Sequence, residues 1–218
     1  MVEAGNLYLI GCGSAFEAIA ADQAAYAPAA AWHLRRAESV AALAGSVDAL
    51  LGGLPQDARL FIAVDANAVN YARLELYGPA KVRGHRLATL VHPRAYVAPD
   101  AKLGDNVWLG PCATVGSRCK LGSNVLVNAR ARLDAGVQVG LHGWIGSGAS
   151  LGDGVVLGNH CVIGSDVHLL AQVQVGKNCV LTQPGLWRKS APAGTFAEPG
   201  YTQPARIIGA GYTWQSRA

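Results

Sequence analysis

Among 218 residues there is one Met and there are three Phe, and Asp, Glu, Lys and Arg together make up only 15%. A chain so poor in bulky and charged side chains and so rich in Gly, with 27, is expected to consist of thin strands and narrow turns. No stretch of eighteen uninterrupted apolar residues occurs, which excludes an ordinary membrane-spanning helix. The first residues lack the basic, apolar, small-residue order of a signal peptide, so a cytoplasmic location is expected. The net charge of +4 is spread along the chain, and no basic stripe speaks for nucleic acid. Five Cys is an odd number and makes no disulfide framework, so reduced thiols are expected in that compartment.

What is present is a period of six. From Val91 to Leu181 a Val, Leu or Ile recurs at every sixth position, sixteen times, and Gly follows it ten times, as in Leu103-Gly104, Leu109-Gly110 and Ile145-Gly146. Two residues before each aliphatic the side chain is again small or apolar, and Cys119, Cys161 and Cys179 fall in this second column. Two inward positions in six suit neither an α-helix nor a flat hairpin. They suit a parallel β-helix, in which three short strands complete a coil of about 18 residues and stacked coils bury a column of aliphatics. Residues 91–182 then supply about five coils.

Residues 1–90 read differently. Asn6–Ile10 is an apolar run ending in Gly11-Cys12-Gly13-Ser14, with helical spacing from Phe16 to Tyr26; Ala29–Leu34 and Ala58–Val64 read as strands and Ser39–Leu51 as a helix. This predicts a small Rossmann-like parallel αβ unit, whose ligands bind beyond the C-terminal strand ends near Gly11, Gly13 and the turn after Val64. A Gly-x-Gly turn is equally the tight connection that packs a helix on a strand. Residues 183–218, with Pro184, Gly185, Trp187, Pro192 and Gly194, read as a loop and tail capping the open end of the prism.

The order of these parts resembles the bacterial sugar O- and N-acyltransferases that acetylate sialic acid or nucleotide-linked amino sugars. The likeness is carried by the Gly-x-Gly strand end, by Phe61-Ile62-Ala63-Val64-Asp65-Ala66-Asn67 with Arg73, by Leu90-Val91-His92-Pro93 leading into the first coil, by the hexads, and by Gln203-Pro204-Ala205-Arg206-Ile207-Ile208. The resemblance implies a homotrimer of left-handed β-helices. It further implies acetyl-CoA, or another acyl-CoA, as co-substrate in a groove between two prisms, and a small acceptor held by the N-terminal unit, with Gly11, Gly13, Ser14, His33, Asp65 and Asn67 as candidates. Pantetheine would run past Gly146, Ser147, Gly164 and Ser165. Arg188 and Lys189, just beyond the last full coil, are candidates to meet the phosphates of CoA, with a solvated tail as the alternative. No metal, nucleic acid or membrane is implied.

The chain departs from that pattern where chemistry is expected. Asp134-Ala135-Gly136-Val137 stands where members carry Asn-His-x-Cys, so the usual general base is replaced by Ala135; Trp144 replaces a second His; and Arg35-Arg36 lie where nucleotide-sugar members have an acidic pair. Three other residues are candidate bases. His142 and His160 are 18 apart and should stack at one corner, where they can bind an anion or relay a proton. Asn106, Asn124 and Asn178 occupy that corner in other coils, so a purely conformational role in a left-handed turn is the alternative. Asp134, beside the lost base, is the third. An acyltransferase is expected, against a catalytically inactive or repurposed binding or scaffold trimer.

Overall fold

Residues 5–200 and 202–206 are described in a computed structural model. Ile207, Ile208 and the rest of the expected tail lie outside the described residues. The fold is a small parallel αβ unit followed by a left-handed parallel β-helix.

The hexad rule becomes three parallel sheets of two-residue strands, with neighbours in each sheet 18 residues apart. One face runs through 90–91, 108–109, 126–127, 144–145, 162–163 and 180–181; the second starts at 96–97; the third starts at 102–103. Rungs are joined by bonds such as Trp108 N–H to Val125 O at 3.0 Å and Gly110 N–H to Val127 O at 2.8 Å. Both inward columns are buried in one core that includes Val107, Leu109, Cys119, Leu121, Cys161 and Cys179. These thiols are free and donate to backbone carbonyls, Cys161 to Gly176 O at 3.0 Å and Cys179 to Pro192 O at 3.2 Å.

Gly after the aliphatic is a matter of space. A Cβ at Gly146 would lie 2.4 Å from Ser165 N, and one at Gly164 would lie 2.7 Å from Thr182 Cα, so the next coil leaves room only for hydrogen. At the corners the backbone turns left-handed, with φ between 52° and 64° at Asn106, Cys112, Arg118, Asn124, Arg130, His142, His160, Asp166, Gln172 and Asn178. The corner N–H then points along the prism to the preceding coil, as from His142 to Ser123 O at 2.9 Å and from His160 to Leu141 O at 2.8 Å. Beyond Leu181 the irregular segment still adds a rung to each face: Gly185–Trp187 on the second, an Ala191 bridge to Val175 on the third, and Thr195–Ala197 on the first. Antiparallel Ala205–Arg206 then covers the edge of the first face.

The N-terminal unit has β1 (Gly5–Cys12), α1 (Ser14–Ala21), α2 (Gln23–Tyr26), β2 (Ala30–Arg36), α3 (Leu43–Leu51), β3 (Arg59–Val64), a 3-10 turn (Ala68–Asn70), α4 (Tyr71–Val82) and β4 (Arg86–Leu87). Its parallel sheet has the order β2-β1-β3-β4. The helix expected over 16–26 is broken at Asp22, the one at Ser39 starts at Leu43, and α4 with β4 completes a fourth strand not foreseen from the sequence. Ile10, Leu60, Ile62 and Val64 pack under α3 and α4. The opposite side of the sheet, with Phe16 and Tyr26, packs on Leu90, Trp108 and Leu126, which project outward from the first face of the prism. The Trp108 indole N–H donates to Tyr26 OH at 2.9 Å, which satisfies the one polar atom it buries there.

Candidate functional site

The corner between the third and first faces, where the histidines lie, is where the two units meet. Asn106 acts there as an extra neighbour of β3: its Oδ1 accepts from Ile62 N–H at 2.8 Å and its Nδ2 donates to Ile62 O at 2.9 Å and to Asn124 Oδ1 at 2.8 Å. Asn124 Oδ1 also accepts from Arg73 Nε at 3.2 Å, so its amide group faces His142 Nδ1, 2.9 Å away. That nitrogen must accept, which places the His142 proton on Nε2. His160 Nδ1 meets Val69 O at 3.0 Å and must donate, which leaves Nε2 of His160 with the lone pair.

The two rings stack at 4.6 Å between centroids; Tyr71 covers the far side of His160 at 4.4 Å, and Tyr77 meets His142 edge-on at 5.5 Å. Burial, then the charges of His160 and Arg73, push His142 down to about 4, with Asp105 opposing. Burial also lowers His160, opposed by the Val69 carbonyl and reinforced by Arg73. Both imidazoles are therefore neutral at pH 7. A neutral pair can take or pass a proton but offers an anion no charge.

Arg73 is wholly buried and holds the junction together. Its guanidinium donates to Val64 O at 2.9 Å, Gly143 O at 2.9 Å and Asn124 O at 3.2 Å, and burial lowers it to about 9, with Asp65 opposing. Asn70 Nδ2 adds a bond to His142 O at 2.7 Å. Asp105 accepts from Tyr77 OH at 2.7 Å and Lys81 Nζ at 2.6 Å. Asn70, Tyr71, Tyr77 and Asp105 were not singled out from the sequence. A signal was available: outward positions of a prism should be polar, yet every third one is apolar, in the series Leu90, Trp108, Leu126, Trp144, Val162, Val180. That 18-residue stripe marks the covered face. Trp144 belongs to it and packs beside Tyr71 and Val69.

Asp134 does not join the histidines. It lies at the corner between the second and third faces, ion-paired to Arg132 Nε at 3.1 Å, and the width of the third face separates it from His142. Beside it Ala135 N–H donates to Asp153 Oδ1 at 3.0 Å.

In the N-terminal unit, Asp65 receives Ser14 N–H and Oγ–H at 2.7 and 2.8 Å on one oxygen and Ala15 N–H at 2.9 Å on the other. Gly13 lies against it, since a Cβ there would be 2.6 Å from Asp65 Cγ, and Gly11 passes β3 so closely that a Cβ would meet Ala63 O at 1.8 Å. Asn67 is half-buried in the following turn. His33 is set apart, paired in register with Tyr8, three residues short of the Arg36 and Gly11 level; it stacks on Tyr8 and bonds Asn6 Oδ1 at 3.0 Å.

Of the candidates for acyl-CoA, Gly146, Ser147, Gly164 and Ser165 lie where the chain enters the second face, and Arg188 and Lys189 where it leaves that face. The glycines are accounted for by coil stacking. Arg188 and Lys189 are exposed and, with Trp187 and Arg206, line a cavity of about 700 Å³ at the C-terminal end of the prism. Among the described residues no group of three or more His, Cys, Asp or Glu could hold a metal, and no helix is long and apolar enough to cross a membrane.

A family model described as the GMPPB C-terminal domain matches residues 86–191. No curated protein matches the sequence. Among solved structures, the acetyltransferase domain of PglB from Neisseria gonorrhoeae is 20% identical, with 93% of this chain and 99% of that one covered at a TM-score of 0.76. PerB from Caulobacter crescentus, solved in complex with CoA and GDP-perosamine, is 20% identical, with 89% and 94% covered at a TM-score of 0.70. The PglB domain in complex with acetyl coenzyme A is also similar, at 21% identity, 94% and 100% coverage and a TM-score of 0.52. Through both its units, the chain has the fold of these bacterial acetyltransferase domains.

Proposed function

We propose that this protein is an acyl-CoA-dependent acyltransferase that moves an acetyl group to an amine or hydroxyl of a sugar or similar small acceptor, as a cytoplasmic homotrimer with its active site between subunits. The observation that carries this reading is the shared fold of both units with the PglB acetyltransferase domain over 93% of the chain. The solved relatives named for CoA and GDP-perosamine support a CoA ester and a sugar amine as reactants. The exposed Arg188 and Lys189, joined by Arg206 around the terminal cavity, suit the phosphates of CoA.

Transfer is direct. The acceptor nitrogen or oxygen bonds the thioester carbonyl carbon, the carbon–sulfur bond breaks, and the acceptor proton passes through a base to the leaving thiolate. His160 is the base candidate: Val69 O fixes one ring nitrogen, Tyr71 and His142 cover both ring faces, and Nε2 keeps its lone pair at pH 7. His142, locked by Asn124, positions that ring. Asp134, already paired with Arg132, is the lesser candidate. With Ala135 in the family base position, proximity and donors in the groove must supply much of the rate. The same Ala135 favours a second reading, a trimer that binds without transferring or that serves another reaction. A screen of free and linked amino sugars for acetyl-CoA-dependent thiol release tests the proposal; thiol release with product acetylation is expected, and acetyl-CoA binding with no release for any acceptor would favour the second reading.

A further inference from the structure

We infer that the acceptor read by the N-terminal unit carries no phosphate at the Gly-x-Gly turn, because the chain's own Asp65 carboxylate already fills the anion seat at the start of α1. The inference deepens the acyltransferase reading by narrowing its acceptor to unphosphorylated amino sugars or polyols.

The first N–H groups of a helix have no partner within it and attract phosphates. Here Ser14 N–H and Ala15 N–H are taken by the two Asp65 oxygens at 2.7 and 2.9 Å, and the Ser14 hydroxyl adds a third bond at 2.8 Å. Gly13, which in a phosphate loop makes room for the ligand, here makes room for that carboxylate. A second acidic group, Glu17, stands in the first turn of α1.

The cations nearby have partners within the chain. Arg36 pairs with Glu17 at 2.6 Å. Arg35 donates to Leu50 O and Gly52 O at 3.0 and 2.6 Å, closing the end of α3. Arg73 is buried and turned to the carbonyls of the prism corner. An anionic acceptor therefore finds these charges already partnered. A diphosphate entering the turn would have to expel Asp65 or sit against it and Glu17, and like charges placed together reject a ligand as effectively as a steric clash. Neutral hydroxyls and ammonium groups meet no such barrier.

The test is amide chemical-shift titration of the full-length protein with inorganic pyrophosphate, without acetyl-CoA, so that the outcome does not depend on transfer activity. In the wild type the Ser14 and Ala15 amides should stay unmoved at millimolar pyrophosphate. In Asp65→Ala, or in Asp65→Asn if the first variant does not fold, the same two amides should shift and saturate, with binding at least about tenfold tighter than in the wild type. Saturable shifts of those amides in the wild type would overturn the inference, as would a folded Asp65 variant that gains no pyrophosphate binding.

Discussion

Two corners of the same prism carry residues suited to proton transfer, and they differ in what covers them. At both, the chain makes the same left-handed turn: His142 has φ 59° and Gly136, at the corner beside Asp134, has φ 72°. The histidine corner lies under the 3-10 turn and α4, where Asn70 and Arg73 hold the His142 carbonyl, Tyr71 stacks on the His160 ring and Tyr77 meets the His142 ring, leaving His142 buried and His160 half-buried. Among the described residues no helix is laid over the aspartate corner, and its carboxylate is tied to a surface arginine. The repeat alone therefore does not set a corner's surroundings; the element laid over it does. Nor does the turn demand histidine, since Arg118, Arg130, Cys112 and Gln172 adopt it as readily.

The contrast can be broken most severely at Arg73. Arg73→Met leaves several buried carbonyls without a donor and should lower unfolding free energy by about 3–5 kcal/mol, read from urea denaturation. Next comes turnover: His160→Asn, which keeps a residue at ease in the left-handed turn, should slow acetyl transfer by roughly 10²-fold, whereas Asp134→Asn should change it by less than about threefold. Equal losses in the two variants would erase the distinction between the corners.

A third effect is pH dependence. His142 is neutral in the folded protein down to about 4, while the unfolded chain takes up that proton nearer the ordinary value of 6.5. The unfolded state binds more protons as pH falls, so stability should decline from pH 6.5 towards 4, and His142→Asn should flatten that part of the profile. Denaturation midpoints across that range would show it. The smallest change is expected from Arg132→Ala, which removes an exposed ion pair and should cost no more than about 1 kcal/mol.

The β-helix was legible because one demand recurs, an aliphatic inside at all sixteen positions and no Cβ after it at ten of them, and so many repetitions outweigh the exceptions. The stacking of His142 on His160 followed from the 18-residue coil for the same reason. Their surroundings did not, because Arg73 reaches Asn124 and Gly143 across 51 and 70 residues and no local pattern encodes that distance. The N-terminal candidates were partly gathered: Gly13, Ser14 and Asp65 do meet, but as a helix start closed by its own carboxylate, while His33 lies back along β2. Gly146-Ser147 and Gly164-Ser165, at the corner between the first and second faces, owe their glycines to the next coil, a constraint that a ligand-based reading of small residues does not distinguish from a binding groove.

The central claim, a CoA ester as reactant, is tested most directly by calorimetric titration of the wild-type protein with acetyl-CoA and with free CoA. Dissociation constants on the order of micromolar are expected, weakening as salt screens Arg188, Lys189 and Arg206. The absence of binding at millimolar ligand would contradict it.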